Sequence, residues 1–292
     1  MGIGETFQIF CNNLVITNVG TISYRYKRIT NQLNYDFYGY ENDTYHSIYT
    51  GSYGRDTAID GFSDLDMLFW LRPEDYTRFN NHSGNGQSAM LQEVKRSILN
   101  TYPRTDVGGD GQVVVVEFDD GMRFEVAPGF DLVDDTFRCP NSNDGGKWYI
   151  TDPRAEQVAI NKKNDAWNAN LKRLGRMARA WKREWTVPMG GLLIDTLAYN
   201  FLDQWEYKDK SFLWYDWISR DFFNYMMNQN PAQAYWLAPG SNQYVWRTGD
   251  FEYKAKRCYN ISLEAIEADG KGYEYTRNSK WREIYGSYFP TA

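Results

Sequence analysis

Asp64 and Asp66 stand two residues apart in TGSYGRDTAIDGFSDLDMLFWL, the stretch from Thr50 to Leu71. In a strand, residues i and i+2 point the same way, so these carboxylates share one face while Leu65 and Met67 take the other. Carboxylates side by side repel unless a cation sits between them. Mg2+ suits that place, because it takes hard oxygen ligands and shares them with phosphate. A third acid has to come from a neighbouring strand. Glu125, in MRFEVAPGF, shares a face with Arg123 and Ala127, and Met122, Phe124 and Val126 take the other. Glu117, at the end of QVVVVE, is its competitor. Asp119 and Asp120 lie between the two runs and read as turn residues.

Gly51-Ser52 precedes the acid pair. Glycine has no side chain to block a close backbone approach, free N–H groups at a helix start bind anions, and the serine hydroxyl adds a donor. Taken singly, a D-x-D is most often surface charge, a G-S is a turn and a hairpin glutamate is solvated. Taken together, in this order and in these strand contexts, they describe two-metal phosphoryl or nucleotidyl transfer.

The elements that must hold these residues are visible in the periodicity. Phe7, Phe10, Cys11 and Leu14 share one helical face, and Ile22, Tyr26, Ile29, Leu33 and Phe37 share another that ends near Gly39. Strands are expected over 45–51 and 64–71, and residues 80–87 read as a loop. Met90, Val94 and Ile98 mark a helix closing before Pro103. QVVVVEF and MRFEVAPGF, joined by DDG, read as a β-hairpin stopped by a proline. After about residue 150 strands vanish from the pattern, and helices are expected over 164–185, 190–205, 211–229 and 253–269. The polar stretch CPNSNDGGKWYITDP, 139–153, reads as a linker. The expected fold is therefore α+β: residues 1–150 a mixed sheet core with N-terminal helices, residues 151–292 a mainly helical lobe.

The chain has 292 residues with 32 Lys+Arg against 38 Asp+Glu, a formal charge of −6. That acidic balance argues against a long nucleic-acid partner. Cys11, Cys139 and Cys258 are too scattered for a zinc site and fit a reducing compartment. No signal peptide and no membrane-spanning run is seen, so a cytoplasmic protein is expected. His46 and His82 read as surface or structural residues, and Tyr53 and Tyr199 are candidates to stack on bases.

GSYGRDTAIDGFSDLDML resembles the G-S…D-x-D signature of the DNA polymerase β-like nucleotidyltransferases. More narrowly, it is similar to the bacterial branch related to cyclic GMP–AMP synthase and oligoadenylate synthase, the CD-NTases of CBASS antiphage systems. FQIFCNNLVI resembles that branch's opening helix, FEVAPGF its third-acid strand, NLKRLGRMARAWKREW a helix of its C-terminal lobe and SKWREIYGSYFP its ending. The resemblance implies a two-lobed polymerase β-like fold and synthesis of a cyclic di- or trinucleotide second messenger from NTPs, ATP and/or GTP or pyrimidine NTPs. It implies that Asp64, Asp66 and Glu125 hold two Mg2+ ions, with Mn2+ as a substitute. Gly51, Ser52 and Arg179, the last where many relatives carry lysine, would contact the triphosphate. Gly190-Gly191 stands where some relatives place a serine and an aromatic, and the zinc-binding insertion of the animal DNA sensors is missing. The implied partners are a CBASS effector, reached through the product, and an E1/E2-like enzyme acting on the C-terminus at Ala292. Transfer of NMP to a protein, small molecule or RNA end, and an inactive nucleotide-binding scaffold, are the competing readings.

Overall fold

The computed structural model describes residues 1–61 and 64–291. In chain order its elements are α1 (Ile3–Asn13), α2 (Val19–Tyr38), β1 (Ser47–Tyr49), α3 (Gly51–Gly54), β2 (Leu65–Trp70), α4 (Pro73–Asn80) and α5 (Gly86–Thr101). The strands β3 (Asp106–Asp110), β4 (Val113–Glu117), β5 (Arg123–Asp131), β6 (Phe137–Asn141) and β7 (Lys147–Thr151) follow. Then come α6 (Pro153–Ala166), α7 (Asn170–Glu184), α8 (Gly191–Gln204), α9 (Tyr215–Met227), β8 (Tyr235–Leu237), β9 (Tyr244–Trp246), α10 (Glu252–Gly270) and α11 (Glu274–Tyr285). No helix among the described residues is long and apolar enough to cross a membrane.

The chain divides into a sheet unit, Thr17–Gly54 with the run through Arg154, and a helical unit that takes residues 1–16, a short piece from Arg55, and the chain from Ala155 onward. This differs from the expected division at residue 150, and the reason is α1. Its apolar face packs with the C-terminal helices: the Phe7 ring lies 5.1 Å from Trp281 and 5.2 Å from Phe289, and Phe10 lies 4.7 Å from Tyr285. These aromatics are buried and form part of the helical unit's core with Trp181, Ile218 and Phe223. Aromatic pairs at such separations add about 0.5–1.5 kcal/mol each beyond area burial, so the N-terminal turns join the helices that supply those rings.

In the sheet unit the strand order is β1-β2-β5-β4-β3, with β6 and β7 extending from β5. All pairings are antiparallel except β2 with β5, which run parallel. Leu65, Met67 and Phe69 on β2 are registered with Phe124, Val126 and Pro128 on β5. They form the apolar face against α2 and α5, as the Phe37–Phe69 contact at 6.4 Å shows. α2 stops where the pattern placed its end: Gly39 takes φ +78°, a left-handed turn that glycine adopts without strain, and its N–H bonds the Tyr35 carbonyl at 3.1 Å.

Four expectations are corrected. Pro128 does not stop its strand: β4 pairs with β5 only to Val126, and β6 begins pairing at Phe130. The proline therefore sits between two ladders, where its missing N–H leaves no partner wanting. The stretch taken as a linker is the β6–β7 hairpin, whose buried Phe137 and Cys139 flank the more exposed Arg138 and pack on Leu68. The helix expected over 164–185 is two helices, broken where Asn168 and Ala169 adopt φ of +52° and +61°. Strands return late as the short hairpin of β8 and β9, and β3 and α11 lacked a pattern strong enough to be expected.

At the C-terminus Phe289 is buried and the Thr291 carbonyl accepts a bond from Asn278 Nδ2 at 3.2 Å. Ala292, on which the E1/E2-like partner was expected to act, lies outside the described residues.

Candidate active site

Alternation along β2 turns Asp66 to the face opposite Met67, and the parallel ladder sets Asp66 directly beside Glu125. Neighbouring strands lie about 4.8 Å apart, so these two carboxylates are immediate neighbours on one face. Asp64 immediately precedes β2, is exposed and follows the same alternation. Further along this face Leu68 is covered by Phe137 and Cys139 of the β6–β7 hairpin. The hairpin thus closes the far half of the face to solvent, and the acids occupy the half it leaves uncovered.

Gly51 opens α3 at φ +56°. A Cβ placed there would overlap the Asp66 carboxylate, so the glycine is required both by its backbone angle and by the acid beside it. The Thr50 N–H bonds the Asp66 carbonyl at 2.9 Å, and the Thr50 carbonyl accepts from the Gly54 N–H at 2.8 Å. The turn bearing Gly51 and Ser52 and the strand bearing Asp66 are therefore joined at their backbones. Tyr53 follows in the same turn with its ring 6.5 Å from that of Tyr49, which stacks on Tyr26 at 4.0 Å.

Arg123 shares this face with Glu125, as the alternation predicts, though the sequence assigned it no role. Its Nη2 donates to Glu125 Oε1 at 2.9 Å and its Nη1 to Glu117 Oε1 at 3.4 Å. Burial works against its charge, but the carboxylates of Glu125, Asp64 and Glu117 outweigh it and hold the guanidinium pKa above its ordinary value. The signal was present in the sequence, because Arg123 precedes Glu125 by two residues and shares its face.

Among the described residues no three acidic, histidine or cysteine side chains are gathered as a closed metal cluster. The donor set nonetheless fits a hard divalent cation: it offers carboxylate oxygens only, from Asp66 and Glu125 in register and from Asp64 one step upstream on the same face. Cysteine chemistry does not compete, since burial pushes the Cys11, Cys139 and Cys258 thiols up to about 12.

The structure gives Arg179 an occupation other than the expected one. Its guanidinium is buried in the helical unit, with Nη1 donating to Asp195 Oδ1 at 2.6 Å and to the Gly175 carbonyl at 3.1 Å. Nη2 donates to Asp195 Oδ2 at 2.8 Å and to the Gly191 carbonyl at 3.1 Å. Arg55 Nε and Thr57 Oγ1 donate to the same Asp195 Oδ2, each at 2.9 Å, and Arg55 Nη1 reaches Glu156 at 3.0 Å. Burial raises the Asp195 pKa, but Arg179 and then Arg55 outweigh it and hold the carboxyl below the usual range. Arg179 thus binds α7 to α8. Tyr199 packs against Trp167 at 5.7 Å in the same unit. His46 stacks on Tyr38 at 3.7 Å with its Nδ1 2.6 Å from Asn34 Oδ1, and His82 accepts the Gly84 N–H at 3.1 Å.

An acid pair set in register across parallel strands, with a glycine turn bonded to one of the acids, is the arrangement of a nucleotidyltransferase core. Residues 1–164 match the Second Messenger Oligonucleotide or Dinucleotide Synthetase domain, and the chain belongs to that family. Among solved structures it is similar to E. coli CdnC in complex with HORMA-deltaN, at 15% identity over 98% of each chain with a TM-score of 0.69. It is similar to the Vibrio cholerae di-nucleotide cyclase, at 13% identity over 84% of this chain and 70% of that one, TM-score 0.69. It is also similar to the Bradyrhizobium diazoefficiens CD-NTase CdnG in complex with GTP, at 10% identity over 97% and 94%, TM-score 0.68. These likenesses establish the two-lobed CD-NTase fold. A comparison with curated protein sequences gives no match.

Proposed function

We propose that this chain is a Mg2+-dependent nucleotidyltransferase that joins NTPs into a cyclic di- or trinucleotide second messenger in antiphage signalling. The observation that carries the reading is the registration of Asp66 with Glu125 together with the packing of Gly51 against Asp66. Family membership and the GTP named with the Bradyrhizobium relative support NTPs as substrates.

In this reading Asp64, Asp66 and Glu125 hold the divalent ions. When bound, the ions acidify a ribose hydroxyl and neutralise the departing pyrophosphate. The protein's own residues do the positioning. Gly51 lets the backbone of the turn approach the donor's β- and γ-phosphates, and the Ser52 hydroxyl donates to them. Holding the triphosphate by its far end directs the α-phosphorus toward the acids, where the hydroxyl gives up its proton beside Glu125 and forms the new P–O bond as the bond to pyrophosphate breaks. The same step on the linear product closes the ring.

Incubation with four NTPs and Mg2+, without any added acceptor, is expected to give phosphatase-resistant nucleotides visible by mass spectrometry. The Asp64→Ala, Asp66→Ala double variant should make none, a loss of at least ~10³-fold. Product that appears only when a protein or RNA acceptor is supplied would point to NMP transfer instead, and an active double variant would remove the site assignment.

A further inference from the structure

Arg123 puts a cation among the acids of the proposed site, and its surroundings explain why it is there. It stands two residues before Glu125 on the same face of β5, directly across the antiparallel ladder from Glu117. One arm of its guanidinium holds Glu125 at 2.9 Å, and the other reaches Glu117 at 3.4 Å. Asp64 also attracts it. Its Nε is buried and finds no acceptor among the described residues, so its fork is not fully satisfied in this position. Its side chain is 34% exposed and that of Glu117 is 55% exposed, which leaves room for rotation about the Arg123 side chain toward the outer acid. The Arg179–Asp195 pair has the opposite character, with both arms of the fork bonded and both partners buried.

We propose that Arg123 is the resident counter-ion of the acid face: it neutralises Glu125 and Asp64 before metal arrives, releases Glu125 toward Glu117 when metal enters, and thereby sets the affinity for the divalent ion. The proposal rests on the three-acid reading above and adds a competitor to it. Glu117, which the sequence offered as an alternative third acid, becomes the place where the displaced guanidinium rests. Without Arg123 the acids would repel one another and attract cations more strongly. With it, metal binding has to displace an internal charge first.

The test is a Mn2+ titration of the nucleotide-free protein, reading free Mn2+ by electron paramagnetic resonance, with folding checked by circular dichroism. Arg123→Gln is expected to tighten Mn2+ binding about three- to tenfold, the range of one partly exposed charge pair. Glu117→Gln, which removes the resting place, should weaken it about twofold. Arg123→Lys keeps the charge but loses the fork and should fall between wild type and Arg123→Gln. It carries the test should the glutamine variant not fold. An Arg123 variant that folds and binds Mn2+ no more tightly than wild type overturns the proposal while leaving the acid site standing. Wild-type protein that shows no saturable Mn2+ binding, or binding unchanged in the Asp64→Ala, Asp66→Ala variant, overturns the metal reading and this proposal with it.

Discussion

In the sheet unit Arg123 lies among Glu125, Glu117 and Asp64, partly open to water and with one nitrogen unbonded. In the helical unit Asp195 lies among Arg179, Arg55 and Thr57, almost wholly buried, with several donors on its two oxygens. Both are clusters of opposite charge, but they are built for different ends. A buried cluster that fully bonds its charge is held in one arrangement, because breaking any bond strands a charge in a low dielectric. A half-exposed cluster with an unsatisfied fork has alternatives of similar energy, and a ligand can choose among them. The first kind fixes a fold, and the second leaves room for chemistry.

Substitution should separate the two. The Asp64→Ala, Asp66→Ala variant that ends product formation is expected to keep its denaturation midpoint, since it removes mutual repulsion from an open face. Asp195→Ala should cost about 3–5 kcal/mol in urea unfolding, because it leaves two arginines buried without their carboxylate; a loss under ~1 kcal/mol would show that water reaches the cluster. Asp216 gives a finer contrast within the helical unit. It is buried without an arginine fork, and desolvation pushes its pKa up to about 6, against 3.8 for an ordinary aspartate. Below about pH 3 the carboxyl is protonated in both the folded and the unfolded chain and costs nothing. As pH rises from about 4 to about 6 the unfolded chain ionises while the folded one still holds the proton, so stability falls, and it levels off once the folded carboxyl has ionised too. Asp216→Asn should therefore match wild type at about pH 3 and exceed it at about pH 8 by up to ~3 kcal/mol, read as the pH dependence of the unfolding midpoint. Gly51→Ala is expected to cost about 1–2 kcal/mol of stability for the left-handed backbone. Its displacement of Asp66 should lower turnover by a larger factor, on the order of a hundredfold, so a variant that loses stability but not turnover would break the link between turn and acid.

How much of this was legible in the sequence follows from the range of each interaction. The Asp64–Asp66 face, the Gly51 turn and the Gly39 stop are local, set by alternation and backbone angle within a few residues. The choice of Glu125 over Glu117 as the neighbour of Asp66 is not local, since it needs the parallel pairing of β2 with β5 across some sixty residues. FEVAPGF narrowed it only by resemblance. Arg179 looked like a phosphate ligand because its partner, Asp195, sits on the next helix and carries no motif. Pro128 looked like a stop because the gap between two ladders is a property of the sheet, invisible along one strand. The β6–β7 hairpin was missed because its turn residues outnumber its apolar ones, and only Phe137 and Cys139 betray the buried side.

That gap at Pro128 has a consequence for how the molecule could be altered. One edge of β5 serves two ladders end to end, registered with β4 up to Val126 and with β6 from Phe130, while β2 runs along its other edge through Pro128 to Gly129. The hairpin is thus attached downstream of a position that transmits no hydrogen-bond register from β6 back to β4. Loops grafted into the turn at Asn143–Gly145 should lengthen the hairpin without shifting Glu125 against Asp66, making that turn a natural attachment point for labels or added domains.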